Sequence, residues 1–342
     1  MLKDKKKIKK RSKLIALFIL ELLVLVLIIA GFYLYSKLNR IQYDSSDDKN
    51  IIQNDNVNIS GYRNIVVFGV DSRSNALKKN THSDTIIIAS INNKTKDVKM
   101  ASVYRDTYVN IPDRNKFDKI NAAYYRGGYS LALSTINTNF DLDTKEFVTV
   151  NFEAVVQAID MLGGIEIDVQ SNEVKYVNGY VKSLNIINGT QVSGIQAAGK
   201  QLLNGTQATA WSRIRYTAGG DYKRTERQRI VIEKMFAKVK KSSIGKINNF
   251  IDIMLPKVYT NLNNMDLLVL AKDVFSYNIV EQTGFPFEKD AHTYSKVSYV
   301  FPIDLTANVT KLHEFFFNEK NYVPTQTVQG YSTQIESIRN RK

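Results

Sequence analysis

Asn64-Ile-Val-Val-Phe-Gly-Val70 ends on Asp71, and a short connection leads through His82-Ser83-Asp84 into Thr85-Ile-Ile-Ile-Ala-Ser-Ile-Asn92. A third run, Val98–Val103, ends on Tyr104-Arg105-Asp106-Thr107. Runs rich in β-branched and aromatic residues, closed by turn residues, read as strands. In open α/β sheets ligands bind beyond the carboxyl ends of strands, so Asp71 and Arg105-Asp106 stand where a site is expected. Asp84 reaches the same place only if the first two strands are adjacent and antiparallel, which a Ser72–Ser83 loop allows. A lone aspartate at a strand end is commonly a turn former. Three of them with arginine partners are harder to dismiss.

Outward from this core the signals alternate. Phe147–Val150 and Ile165–Val169 read as strands. Tyr129–Phe140 and Phe152–Leu162 have helical spacing, the second stopped by Gly163-Gly164. Asp221 to Lys241 is the clearest helix, with Asp221 as its expected cap. A helix at Asn264–Phe275 and a strand–helix pair, Val297–Ile303 and Ala307–Phe317, follow. Strands alternating with helices predict an α/β domain over 63–320, its sheet covered on both faces. The glycine- and asparagine-rich stretch Ser171–Gly205 reads as surface excursions, and 321–342 as a polar, mobile tail.

The second half supplies more cations. Arg213 and Arg215 are two apart, so in an extended segment both point to one face while Ile214 points into a core. A solvated strand edge is the plain alternative for this pair in isolation. On the long helix Asp221, Arg224, Gln228 and Val231 share a stripe, with Arg227 beside it. A helix N-terminus favours anions through its free N–H groups and its dipole. Surface i,i+4 pairing with Glu226 and Glu233 explains Arg229 better than Arg224. Guanidinium forks hold phosphate oxygens, and paired carboxylates hold a divalent cation against them. A pyrophosphate with magnesium suits the set.

The net charge of +14 is unevenly placed: residues 1–13 carry seven lysines and Arg11 against Asp4 alone. Leu14–Tyr35 is apolar except for Glu21, and at about 1.5 Å per residue it spans a bilayer core of about 30 Å. The basic flank then stays in the cytoplasm and 36–342 lies outside the cell membrane, single-pass. A cleaved signal peptide is the alternative, disfavoured by the length of the run and the lack of an A-x-A-like exit. The polar 36–62 reads as an extracellular stalk. With the domain outside, the basic excess points to a membrane rather than to nucleic acid.

Other chemistry finds little support. There is no cysteine, which excludes disulfides and thiol catalysis. His82, His292 and His313 lack metal-ligand spacing, and no G-x-S-x-G elbow occurs. Gly194-x4-Gly199-Lys200 resembles a phosphate loop, but Gln201 replaces the required Ser/Thr and no strand precedes it.

In this order and after a single apolar segment, the clusters resemble the LytR-CpsA-Psr family. The matching text is Phe68-Gly-Val-Asp-Ser-Arg73, Ser83-Asp-Thr85, Tyr104-Arg-Asp-Thr-Tyr108 and Lys119-Ile-Asn-Ala-Ala123. It continues with Leu162-Gly-Gly164, Leu203-Asn-Gly205, Arg213-Ile-Arg215 and Asp221 to Gln228. The resemblance implies a three-layer α/β/α domain with a central mixed sheet and an apolar cleft for a polyprenyl chain. It implies a phosphotransferase that moves teichoic acid or capsular polysaccharide from an undecaprenyl-pyrophosphate carrier to peptidoglycan. Carried over, Asp71 and Asp84 organise Mg2+, with Mn2+ as substitute, and count with Arg105 as catalytic. His82, Arg105, Arg213, Arg215, Arg224 and Gln228 hold the pyrophosphate, with Arg227 in support. Two positions depart from the common pattern: His82 where arginine is usual, and Lys223 where glycine is usual. The first would make phosphate grip weaker or pH-dependent. Rival readings of the same residues are a polyprenyl-pyrophosphate hydrolase and a non-catalytic envelope regulator.

Overall fold

The computed structural model describes residues 35–71 and 77–341. Contacts divide the chain into two units, Met1–Ile41 and Gln42–Lys342. In the first, residues 35–38 are helical; the basic segment 1–13 and all of 14–35 but Tyr35 lie outside the described residues. No described helix is long and apolar enough to cross a membrane.

The second unit is built on a seven-stranded mixed sheet. Its members are β1 (Gln42–Tyr43), β2 (Tyr62–Val70), β3 (Ser83–Asn92), β4 (Asp97–Val103), β7 (Glu146–Asn151), β10 (Tyr259–Thr260) and β11 (Asn278–Phe285), in the order β1-β10-β7-β2-β3-β4-β11. Strand β2 runs antiparallel to β3 and parallel to β7, and β11 runs parallel to β4. The antiparallel register sets Gly69 opposite Thr85 and Val70 opposite Ser83, which carries Asp71 and Asp84 to one end of the sheet. Three two-stranded pairs, β5 (Tyr108–Ile111) with β6 (Lys116–Lys119), β8 (Ile165–Val169) with β9 (Gly199–Leu203), and β12 (Lys289–Tyr294) with β13 (Val297–Pro302), lie outside it.

Alternation along the strands makes two apolar faces. Val66, Phe68, Val70, Ile86, Ile88, Ala101 and Val103 enter one core. That core is closed by helices α1 (Asn121–Phe140), α8 (Leu305–Phe317) and α9 (Gln326–Arg339). Ile65, Ile87, Ile91, Val98 and Met100 face the other side, toward Ile232 and Phe236 of α5 (Gly220–Lys240) and Leu270 of α7 (Asn264–Lys272), with α6 (Ile244–Met254) between these helices in the chain. A third cluster joins α2 (Phe152–Met161), α3 (Val174–Asn188), α4 (Gly205–Ser212) and β8–β9 around Ile159, Val181 and Trp211. Full burial of Phe68 alone is worth about 1.5–3 kcal/mol.

Several boundaries differ from the sequence reading. The stalk assignment of 36–62 gives way from Gln42 onward, because β1 pairs with β10 and Asn54 bonds to Asp141, Thr138 and Thr325. The tail at 321–342 contains α9, capped by Thr325, with Val328 and Ile335 buried in the main core. Its docking stripe, Val328, Tyr331, Ile335 and Ile338, is set in an otherwise polar segment. The excursion at 171–205 is largely α3 and β9. Helix α1 begins eight residues before the expected Tyr129, because Gly128 (φ 65°, ψ −153°) kinks it and interrupts the periodicity.

Candidate functional site

At the end of the sheet where β2 stops and β3 starts, a pocket of about 220 Å3 is lined by Asp71, Asp84, Arg105, Phe152, Tyr180, Arg213, Arg215, Arg224 and Gln228. Strand ends bring Asp71, Asp84 and Arg105. Asn151 caps α2 by accepting from the Ala154 amide at 2.9 Å, which fixes Phe152 at the helix start. Asn204 and Gln207 form a capping box on α4, whose C-terminal end presents Arg213. Arg213 to Arg215 is therefore a helix end and loop rather than the expected extended segment; Ile214 is nonetheless fully buried and both arginines reach the pocket. A tight turn through Gly219 (φ 87°) and Gly220 (φ 47°) starts α5. Gly219, not Asp221, is the N-cap of this helix; Asp221 pairs with arginines instead.

Charge is dense here. Arg105 Nη1 donates to Asp84 Oδ1 at 2.6 Å. Arg224 Nη2 donates to Asp221 Oδ2 and to the Asp84 carbonyl, both at 3.0 Å. Arg215 Nε lies 3.5 Å from Asp221 Oδ1, and Arg213 Nη2 3.7 Å from Asp71 Oδ2. Arg213 Cζ stands 4.7 Å from the Phe152 ring centroid and 5.9 Å from that of Tyr180. Burial, with help from Arg215 and Arg105 and against Asp221 and Asp84, pushes the Arg224 guanidinium down to about 10. It stays charged at neutral pH, but its neighbours make that charge costly. Burial also works against Arg105; there the Asp84 carboxylate outweighs it and the net shift is upward.

Arg224 Nε, Arg105 Nε and both polar atoms of the Gln228 amide are buried without a hydrogen-bond partner. Buried polar groups are ordinarily satisfied, so a cluster of orphans around one pocket marks a place for a ligand with many acceptor oxygens.

Gln228 and Phe152 also line a second space. An apolar cleft of about 390 Å3 runs between the sheet face of Gly69, Ile87, Ala89 and Met100 and the α5 side chains Val231, Met235 and Phe236. It follows β3 from Thr85 to Ile91, about 20 Å at about 3.3 Å per residue. The cleft thus begins at the floor of the polar pocket.

Two expected residues lie elsewhere. Arg227 is not in the pocket: it is 1% exposed, paired with Glu173 and bonded to the Ile214 carbonyl. Its i+3 position on α5 sends it behind the loop that carries Arg213 and Arg215 rather than into the open space. His82 lines a neighbouring pocket and stacks on Tyr125 at 4.6 Å. Phe152, Tyr180 and Glu173 were not singled out from sequence; no local pattern separates them from core and surface residues.

Asp71 and Asp84 share the polar pocket, and Asp84 gives one oxygen to Arg105. No third His, Asp or Glu joins them in a metal-holding group among the described residues. Two carboxylates beside a phosphate site fit magnesium, which usually takes one or two carboxylates with phosphate oxygens and water.

The sequence profile of the LytR_cpsA_psr family matches residues 28–313. The chain is 30% identical over 300 residues to a polyisoprenyl-teichoic acid–peptidoglycan teichoic acid transferase TagU of Enterococcus faecalis, covering 84% of this chain and 93% of that protein. It is 34% identical to the TagU of Oceanobacillus iheyensis over 265 residues, 72% of this chain and 76% of the relative. Among solved structures it is similar to the family protein YwtF (TagT) with bound octaprenyl pyrophosphate lipid, with TM-score 0.55, 22% identity and coverage of 75% and 91%. With this span of matched sequence and this fold, the chain belongs to the LytR_cpsA_psr family.

Proposed function

We propose that the protein transfers an anionic glycopolymer from a polyprenyl-pyrophosphate carrier to peptidoglycan, forming a phosphodiester. The observation that carries this reading is the continuity of the arginine pocket with the apolar cleft through Phe152 and Gln228. A ligand suited to both has two phosphates at one end and a long hydrocarbon at the other. The named activity of the TagU relatives and the lipid in the TagT structure support it.

In this reading the prenyl chain lies in the cleft, where burial of apolar surface gives about 25 cal/mol per Å2. Arg105, Arg213, Arg215 and Arg224 hold the pyrophosphate oxygens, and Gln228 bridges head and tail. Asp71 and Asp84 would hold magnesium, which when bound neutralises phosphate charge. Phosphoryl transfer depends mainly on positioning and charge stabilisation, and the fixed guanidinium groups supply both. Asp71, more exposed than Asp84 and not tied to Arg105, takes the proton of the attacking hydroxyl. The apolar segment 14–35 would anchor the chain in the membrane with the domain outside, beside its lipid substrate.

The test is reconstitution: protein, lipid-linked polymer and peptidoglycan oligomer should yield a covalent polymer–peptidoglycan adduct and prenyl phosphate. Free polymer phosphate without adduct means hydrolysis, and full activity in Arg105→Ala with Arg224→Ala contradicts the site.

A further inference from the structure

A pocket of about 520 Å3 adjoins the arginine pocket and shares its wall of Asp71, Asp84 and Arg105. The apolar cleft meets the arginine pocket on a different wall, at Phe152 and Gln228. Among the described residues no side chain lines both the cleft and this larger pocket. That opposition has a chemical consequence. In-line displacement at phosphorus puts the entering and leaving oxygens on opposite sides. If prenyl phosphate leaves toward the cleft, the entering hydroxyl arrives from the Asp71–Asp84–Arg105 wall.

We infer that the 520 Å3 pocket binds the acceptor glycan, an inference that rests on the transferase reading above. Its lining suits a neutral sugar chain better than a phosphate. Asn80, Thr81 and Asn121 offer amides and a hydroxyl for sugar hydroxyl and N-acetyl groups. Among the described residues Arg105 is the only guanidinium that lines it, already paired with Asp84, and Lys119 is paired with Asp106 at 2.9 Å. His82, which lines the pocket, stacks on Tyr125 with ring planes 10° apart, and Tyr125 is 44% exposed, so the pocket borders an aromatic pair through His82. The Asn80 amide donates to the Tyr125 carbonyl at 3.2 Å, which pins the loop bearing His82 to α1. The kink at Gly128 lets that loop approach, since a Cβ there would stand 3.0 Å from the Lys78 carbonyl oxygen.

In the step so arranged, the acceptor hydroxyl oxygen forms a bond to the phosphorus that carries the polymer. The bond from that phosphorus to the bridging oxygen breaks, and the bridging oxygen leaves with the electron pair as prenyl phosphate. The hydroxyl proton passes to the Asp71 carboxylate. His82 thus serves acceptor recognition.

The experiment measures KM separately for lipid-linked donor and peptidoglycan oligomer with the full chain. Tyr125→Ala and His82→Ala should each raise the acceptor KM about tenfold, the scale of one lost ring contact, with the donor KM within twofold. Tyr125→Phe should retain the wild-type acceptor KM, which separates stacking from misfolding. Gln157→Ala, in a different pocket beside Phe152, should leave the acceptor KM unchanged. An acceptor KM unmoved by Tyr125→Ala and His82→Ala, or raised by Gln157→Ala instead, overturns this inference and leaves the transferase reading standing. A wild-type protein that forms no adduct overturns both.

Discussion

Arg227 and Glu173 form a buried ion pair behind the loop that carries Arg213 and Arg215. Arg227 Nε and Nη2 donate to Glu173 Oε1 at 2.9 and 2.6 Å. The other carboxylate oxygen accepts from the Trp211 indole at 2.8 Å and the Gln170 amide at 3.0 Å. Arg227 also holds the Ile214 carbonyl and the Thr217 hydroxyl, so one guanidinium sets the course of the loop. Neither side chain lines the polar pocket; the pair positions two residues that do.

Removing one partner leaves the other charge buried and alone. Arg227→Met should therefore cost about 3–5 kcal/mol, read as a lower urea midpoint. Its transfer activity should fall with the folded fraction and with loop position. A midpoint shift near zero would show that the pair is not the anchor described.

Burial works to raise the Glu173 carboxyl pKa, but the Gln170 amide, the Trp211 indole and Arg227 outweigh it, and the group is held below the usual range. A depressed carboxylate stabilises the fold above its unfolded pKa of about 4.3 and loses that contribution as pH falls through the lower folded value. Wild type should exceed Glu173→Gln in stability at neutral pH, and the gap should close on acidification. Denaturation of both proteins between about pH 7 and pH 3 checks the sign.

Arg224 is 2% exposed and crowded by Arg215 and Arg105, so an anion should relieve that repulsion. Inorganic pyrophosphate at about one hundred times its Kd should stabilise the protein by about 2.7 kcal/mol, seen as a rise in Tm. Arg224→Ala should remove most of the rise. High salt should diminish it in wild type.

Arg105 lines the polar pocket and donates to Asp84; in the proposed transfer it would hold the phosphate, and a fixed charge so placed commonly carries a factor of about 10² to 10³ in rate. Arg105→Ala should lower kcat by that order with its melting temperature little changed. A chelator should depress transfer and added Mg2+ restore it if Asp71 and Asp84 hold the metal.

The strand pattern was legible in Asn64–Val70 and Thr85–Asn92 because each face of the sheet buries its own residues, and the clusters after them marked the site. Arg105, Arg213, Arg215, Arg224 and Gln228 do meet, since strand ends and a helix start are readable from turn residues and periodicity. Arg227 was not separable from Arg224: both are arginines near one stripe, and only the fold shows which faces the open pocket. Glu173 lies more than fifty residues from its partner in sequence, and such long-range pairs leave no local trace. Helix α9 sets its apolar stripe within a polar segment, and β1 is a two-residue strand held by pairing with β10, so neither leaves a strong periodic signal. The kink at Gly128 hid the first turns of α1, and with them Tyr125.

The most direct measurement is a calorimetric comparison of polyprenyl pyrophosphate, inorganic pyrophosphate and the corresponding polyprenol binding to the full chain. One continuous site for head and tail requires the intact lipid to bind more tightly than either fragment. Arg224→Ala should weaken pyrophosphate and intact lipid, and Ala89→Trp, which fills the cleft, should weaken polyprenol and intact lipid. Intact lipid that binds no better than pyrophosphate alone, and is indifferent to Ala89→Trp, would contradict the central claim.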